Sequence, residues 1–388
     1  MKTSHFLVLV VSALFPLTSN AIEISGYYEN TLVPEYSDDS RENIIDASKL
    51  RIEFSAGNGE NELRFDGDVL FTAYHSGIEL DLAPYLPQAV SDTLAKWDAP
   101  STFSYPEQRV LLDNAYLTWE ADRLRFRLGR QQLSWGPAYS FNPTDLFHSK
   151  DMLDPSYVKP GVTALRADYR WGVGGQLTAI MAPGRDVDGS GYAMRLGTHL
   201  SKIGYDVALT IHHVEDSTSL IPVDLTPFHQ DRNSVGFEFS GSLFGPGIWL
   251  EGNFNDMELE DDFIRAVLGM DYTLDNGVYI MWEALYNGRG ENEAPYSATS
   301  WMGSIMFGEP VTQQRHMFGL RKSLTDLSEG SLYSFIGADG TYLFSPRLDV
   351  SIAQNADLVL FGAASTGKED GQFPGGLIGM TARLSVYF

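Results

Sequence analysis

Cysteine is absent from the 388 residues. That excludes a disulfide framework, a thiolate metal centre, covalent haem attachment and a cysteine nucleophile. Cations are scarce, with 27 Lys and Arg against 51 Asp and Glu and a net charge of −24. A nucleic-acid-binding surface needs Lys and Arg to displace phosphate counterions, so a nucleic-acid partner is not expected. Long apolar runs are also missing. Beyond the amino-terminal segment, no stretch approaches the roughly eighteen consecutive apolar residues of a membrane helix.

Catalytic signatures are equally thin. His212 and His213 are neighbours on an extended segment and face opposite ways, so they cannot share a metal ion. His148 is a lone imidazole. Gly189-Ser190-Gly191 lacks the strand-turn-helix context of a nucleophile elbow. Glycine-rich phosphate loops do not occur. Neither an enzyme nor a cofactor is expected.

Met1 to Ala21 has the layout of a cleaved secretory signal peptide. Lys2 begins it, Phe6 to Phe15 is apolar apart from Ser12, and Ser19-Asn20-Ala21 offers small residues for cleavage after Ala21. The apolar run is about half the length of a spanning helix. From there on the chain shows apolar/polar alternation, the mark of strands with one greasy and one wet face. Leu50, Ile52, Phe54 and Ala56 alternate with Arg51, Glu53 and Ser55. Leu124, Phe126 and Leu128 alternate with Arg123, Arg125 and Arg127. Similar segments surround Phe65, Leu196, Leu209 and Leu268.

The connections alternate in length. Short turns are expected at Gly57 to Asn61, Glu120 to Asp122, Gly172 to Gly174, Ser201 to Gly204, Phe244 to Gly247, Asp275 to Gly277 and Asn355 to Asp357. Longer polar segments fall between them, at 33–44, 74–108, 136–160, 215–232, 288–309 and 362–375. Short turns at one end and long loops at the other describe an all-β, closed antiparallel transmembrane barrel standing in an outer membrane. Residues 22–388 form its single domain. The pattern predicts about eighteen strands, with about sixteen as the alternative because Pro346 could mark a bulge or an edge. A soluble β-sandwich is the competing architecture, but it does not account for the loop asymmetry.

Aromatic residues make up 12% of the chain. Tyr28, Trp119, Trp171, Trp249 and Trp282 fall near strand ends and suit interfacial girdles. Arg64, Asp66, Asp68, Arg125, Arg127, Arg166, Asp168, Arg170, Glu251, Arg265, Asp271 and Arg383 share the polar parity and should face a wet lumen. Asp113, Glu120 and Asp168 are the expected partners of the Arg123, Arg125, Arg127 ladder. Acid-rich loops suit either solubility or divalent cations shared with lipopolysaccharide. The last strand alternates through Ile378, Met380, Ala382, Leu384 and Val386 to Phe388. It resembles the carboxy-terminal signal that the bacterial outer-membrane assembly machinery recognises.

One region departs from simple alternation. Gly129-Arg130-Gln131-Gln132-Leu133-Ser134-Trp135-Gly136 is followed by Phe141-Asn142-Pro143-Thr144-Asp145-Leu146-Phe147. The two glycines suit close backbone approach or positive φ. Pro143 and Asp145 suit a tight turn. Arg130 has the apolar parity of its strand, so it either snorkels at the rim or turns inward through a bulge; the inward turn, pairing with Asp145, is the favoured reading, and a box that only stabilises the loop base is the alternative. Leu86, Val90, Leu94 and Trp97 have near-helical spacing in the loop 74–108.

The box resembles one shared by porin-like and alginate-export-like barrels of the Gram-negative outer membrane, a functionally mixed group. The match spans about 20 residues. The resemblance implies a channel for small hydrophilic solutes, narrowed by an infolded loop at about 136–160. The residues expected at the lumen or constriction are Arg125, Arg127, Arg130, Trp135, Asn142, Asp145, Arg166 and Asp168. The implied surroundings are outer-membrane lipid and lipopolysaccharide. The alternatives are an export or electron-transfer conduit with a periplasmic partner, and a structural surface barrel.

Overall fold

The computed structural model describes residues 22–35, 43–58, 61–74, 78–81, 91–92, 95–96, 102–105, 108–147, 159–184, 189–220, 227–368, 370–373, 375–376 and 378–388. Met1 to Ala21, His148, and Leu86, Val90, Leu94 and Trp97 lie outside the described residues.

Eighteen strands close into one antiparallel sheet. With two more in a separate hairpin, twenty strands are described; in chain order the first seven are β1 (Glu23–Glu35), β2 (Asn43–Asn58), β3 (Asn61–Tyr74), β4 (Ile78–Asp81), β5 (Thr102–Tyr105), β6 (Gln108–Ala121) and β7 (Leu124–Gln131). Next come β8 (Val162–Trp171), β9 (Gly175–Ala182), β10 (Gly191–Leu200), β11 (Tyr205–Leu220), β12 (Pro227–Ser242), β13 (Gly247–Met257) and β14 (Phe263–Thr273). The remainder are β15 (Tyr279–Asn287), β16 (Gln314–Thr325), β17 (Ser328–Gly337), β18 (Tyr342–Ala353), β19 (Ala356–Thr366) and β20 (Ile378–Tyr387). β4 and β5 pair only with each other, forming a hairpin within the connection from β3 to β6. The helix α1 (Ala298–Phe307) stands in the connection from β15 to β16, capped by the Ser297 hydroxyl and by Gly308 in the left-handed region.

The strand count settles at eighteen because Pro346 sits inside β18, opposite Leu332 of β17, and the register with β19 is the same on both sides of it. Pro346 marks neither an edge nor a break. Each expected short turn joins two paired strands, and one more joins β16 to β17 at Asp326-Leu327. The connection expected over 215–232 is much shorter than anticipated, because β11 and β12 extend to Leu220 and from Pro227.

Closure is made by the two ends of the chain. β1 pairs with β2 on one side and with β20 on the other, Tyr28 opposite Val386 and Leu32 opposite Ala382. Beyond the ladder, Gly26 and Phe388 exchange two backbone hydrogen bonds of 3.0 Å. A closed ladder leaves no unpaired edge, which is what hydrocarbon requires of a sheet.

The two faces divide as the alternation predicts. On β13 the outward Leu250 and Phe254 are 41% and 46% exposed, whereas Trp249, Glu251, Asn253 and Asn255 are buried. On β14, Ile264, Leu268 and Met270 are outward and exposed. In the last strand Ile378, Met380 and Phe388 are exposed while Arg383 and Ser385 are buried. Apolar side chains on the outside of a closed barrel gain lipid contact, worth roughly 1.5–3 kcal/mol each when fully transferred from water. Trp119 is exposed, and Trp171 and Trp282 share the outward parity. Trp249 breaks the girdle expectation: it is 8% exposed and points into the barrel, where its indole finds a carboxylate acceptor.

The interior is not uniformly wet. On the β13 to β18 side, Trp249, Val267, Met281, Leu285, Met317, Phe335 and Leu343 form an inner apolar cluster with Ala138 and Phe141. The opposite wall is polar and charged: Arg51 bonds Asp68 at 2.8 Å, and Asn114 bonds the same carboxylate at 2.7 Å.

The closing seam supplies a test. A Cβ at Gly26 would lie 2.2 Å from the Arg51 carbonyl oxygen and 2.9 Å from the Phe388 ring. Gly26→Val is therefore expected to deplete the folded barrel, read as loss of the heat-modifiable band in gel electrophoresis. An undiminished folded band would show that the seam tolerates the side chain.

Candidate functional site

The arginine ladder of β7 lies on the inner wall. Arg125 pairs with Glu120 across the β6–β7 ladder and stands opposite Asp168 of β8. Arg127 stands opposite Arg166 and lies 5.2 Å over the Tyr116 ring. Arg166 grips Asp168 with hydrogen bonds of 3.0 and 3.1 Å. Thr178 and Gln176 add bonds of 2.6 and 2.8 Å to the same carboxylate. Two of the three expected partners, Glu120 and Asp168, thus sit beside the ladder. Asp113 does not. It lies 3.3 Å from Arg51 and accepts the Gly161 N–H at 3.0 Å.

Arg130 also departs from expectation. The register of β7 with β6 and with β8 is unbroken at Arg130, so the inward bulge is not formed. The irregularity lies one strand away, at Asp113, between the Asp68 and Val69 pairings. Arg130 Nε donates to the Asp113 carbonyl at 3.0 Å. Asp145 pairs instead with Lys159, at the far end of the same connection.

After β7 the chain turns into the barrel. Gly129 and Gly136 have φ of +127° and +87°, a region closed to most side chains. A Cβ at Gly136 would lie 2.3 Å from a Glu251 carboxylate oxygen, so only glycine permits this approach. Glu251 accepts hydrogen bonds from Ala138 N at 3.2 Å, Thr144 N at 2.8 Å, Thr144 Oγ1 at 2.8 Å and Asn142 Nδ2 at 3.3 Å. Glu283 of β15 accepts from Tyr139 N, from Ser140 N at 2.7 Å and from Trp249 Nε1 at 2.7 Å. Both carboxylates have no exposed surface.

Thr144 Oγ1 also lies 3.2 Å from Glu238, which Arg195 holds at 2.6 Å, and Asn253 donates to the Pro143 carbonyl at 2.6 Å. Five strands separate β7 from β13 in the wall. A segment leaving β7 reaches the inward side chains of β13 and β15 only by crossing the interior.

The rest of the box seats this crossing. Trp135, 7% exposed, packs on His212 at 5.0 Å and on Phe147 at 6.4 Å between ring centroids. Asn142 Nδ2 donates to the Trp135 carbonyl at 3.3 Å. Asp145 N returns to the Asn142 carbonyl at 3.1 Å, closing the Asn-Pro-Thr-Asp turn. His212 faces inward and His213 outward, as their adjacency on a strand requires.

No protein-family model matches the chain, and no curated protein matches it. Solved structures do. OccAB1 of Acinetobacter baumannii aligns with a TM-score of 0.58 at 8% identity, over 95% of this chain and 96% of that one. OccAB4 of the same organism aligns with a TM-score of 0.57 at 9% identity, over 95% and 98%. A triple mutant of Rhodopseudomonas blastica porin aligns with a TM-score of 0.47 at 10% identity, over 95% and 100%. The fold is that of an outer-membrane β-barrel. At these identities the likeness is one of architecture.

The expected site residues therefore fall into two groups. Arg125, Arg127, Arg166 and Asp168 form a paired patch on the β7–β8 wall. Trp135, Asn142 and Asp145 belong to the interior crossing, and Arg130 braces its base. The two carboxylate anchors are not recognisable as anchors from parity alone. Parity marks Glu251 only as a lumenal charge and does not single out Glu283. Their signal is a lone inward acid in an otherwise uncharged run, as in Ile280 to Asn287.

Hydrogen bonds to a buried charge contribute roughly 1.5–3 kcal/mol each. Glu251→Ala with Glu283→Ala is expected to release the 136–147 segment while the strands stay paired. Limited proteolysis with mass spectrometry should then find new cuts within 136–147 in a barrel that keeps its folded mobility. Unchanged resistance would remove the anchoring role.

Proposed function

We propose that this protein is an outer-membrane channel for small hydrophilic solutes, with the segment from Gln132 to Phe147 narrowing the lumen. The observation that carries this reading is the crossing itself: a backbone segment hydrogen-bonded to Glu251 and Glu283 on the far side of a barrel with an apolar exterior. A solute entering between the walls meets that segment and the charges around it. Selectivity in such a passage arises from the donors, acceptors and charges lining the narrow point. Arg127, Arg166 and the box residues Trp135, Asn142 and Asp145 are the candidates for setting it. The likeness of the box to porin-like and alginate-export-like barrels supports the same reading, since in this chain the box builds the crossing.

The remaining surroundings accord with the reading. The exposed outer face would contact outer-membrane lipid, and the acid-rich loops would face lipopolysaccharide and its cations. Phe388, 62% exposed at the closing seam, is the residue that assembly machinery would read before closure. A periplasmic partner belongs to the export or conduit alternative.

Planar-bilayer recording tests the proposal. The purified barrel should give discrete ion-conducting steps, and deletion of 137–146 should enlarge them. A folded barrel without conductance, both with the segment and without it, would overturn the channel reading.

A further inference from the structure

A cavity of about 420 Å³ lies against the infolded segment, among the tops of β11, β12, β14 and β16. Phe141, Leu146 and Phe147 of the segment line it together with Arg232, Arg265 and Arg315. The volume is within the range of ordinary small-molecule sites.

Two lining residues carry a buried polar atom without a hydrogen-bond partner, Asn142 through its acceptor Oδ1 and Arg232 through a donor; the cation of the two is Arg232. It is 4% exposed. Its Nε donates to Asn255 Oδ1 at 2.9 Å, and its guanidinium lies 5.1 Å from the centre of the Phe263 ring. The nearest carboxylate oxygen, on Asp216, is 3.6 Å from Nη1, beyond hydrogen-bond reach. Nη2 is buried and has no hydrogen-bond partner among the described residues. A buried cationic donor without an acceptor is costly, and an acceptor supplied from outside would relieve that cost.

The acids lining the same cavity do not fill that role, because each is engaged elsewhere. Asp216 accepts from Thr218 N and Oγ1 at 2.8 and 2.6 Å and lies 3.2 Å from Arg289. Glu309 pairs with Arg265, Glu215 with His229 at 2.7 Å, and Asp145 with Lys159. The unfilled charged valence of the pocket is therefore the Arg232 donor, beside the neutral acceptor Asn142 Oδ1, and Phe141, Leu146 and Phe147 supply apolar lining.

We propose that this pocket is a subsite for a small organic anion, a carboxylate carried on an apolar body. Arg232 Nη2 takes a carboxylate oxygen, and Phe141, Leu146 and Phe147 pack the hydrocarbon part. This deepens the channel reading, on which it rests only for its place along the solute's path; the pocket itself is a feature of the folded barrel. A neutral isostere would offer Nη2 only the weaker, uncharged carbonyl acceptor, and a bare inorganic anion would leave the apolar wall uncovered.

Calorimetric titration of the full barrel in nanodiscs tests it, with 3-phenylpropionate, its amide and inorganic phosphate as probes. The acid should bind about 10-fold or more tightly than its amide, as expected for a hydrogen bond to a charged group. It should also bind more tightly than phosphate. Arg232→Gln should abolish the preference for the acid. Leu146→Asp, which keeps Arg232 but puts a carboxylate in the cavity, should do the same if Arg232→Gln fails to fold. Equal binding of acid and amide, equal binding of acid and phosphate, or an acid preference that survives the folded variants would overturn the subsite. Conductance in potassium chloride, measured on the same preparations, separates the two ideas. Open channels without acid binding remove the subsite alone, and acid binding without conductance removes the channel alone.

Discussion

Two carboxylates, Glu251 and Glu283, decide what the inside of this barrel looks like. Each is fully buried and each accepts main-chain N–H groups from the segment that leaves β7. A loop drawn into a barrel must find acceptors for the amides it removes from water. Isolated ionised carboxylates must likewise find donors. Here each deficit satisfies the other, and Gly136 makes it sterically feasible by bringing the backbone up to the Glu251 carboxylate. The inner apolar cluster depends on that contact, since Ala138 and Phe141 join it only because the segment is held against β13 and β15.

The outer half of the architecture was legible in the sequence for a plain reason. A strand that faces lipid on one side and polar groups on the other must alternate, and alternation is visible without knowledge of partners. The run from Ile264 to Met270 and the closing run from Ile378 to Phe388 both show it. Tight turns such as Gly172-Val173-Gly174 are readable because Gly172 and Gly174 take positive φ there. The strand count was harder between Gln313 and Asp357, because the β16–β17 turn at Asp326-Leu327 carries no glycine and Pro346 imitates a break. Pro346 is tolerated within β18 without a shift of register.

The interior was only partly legible, and the reason is again physical. Parity assigns a side chain to the lumen but not to a partner there, because partners come from strands and loops distant in sequence. Arg125, Arg166 and Asp168 could be anticipated together because their strands are neighbours. Arg130 could not be placed, since its fate depends on a bulge at Asp113 in the adjacent strand. The inward turn of Trp249 is hidden for the same reason: a tryptophan near a strand end suits a lipid interface unless a buried acceptor draws its indole inward, and Glu283 lies 34 residues away.

The crossing segment has two chemically separate sides. Its backbone amides and the Thr144 hydroxyl turn toward Glu251 and Glu283, while Leu146 and Phe147 line the cavity beside Arg232, and Phe141 lines it at the edge of the inner apolar cluster. The fixing contacts are made largely by main-chain atoms, which every residue but proline supplies in the same form. The cavity wall is made by side chains, which differ from residue to residue. Position and surface chemistry are thus set by different atoms of one segment. The apolar wall could change from Leu146 or Phe147 to another side chain while the amide-to-carboxylate contacts persist. Gly136, whose missing side chain is itself part of the fixing contact, has no such latitude.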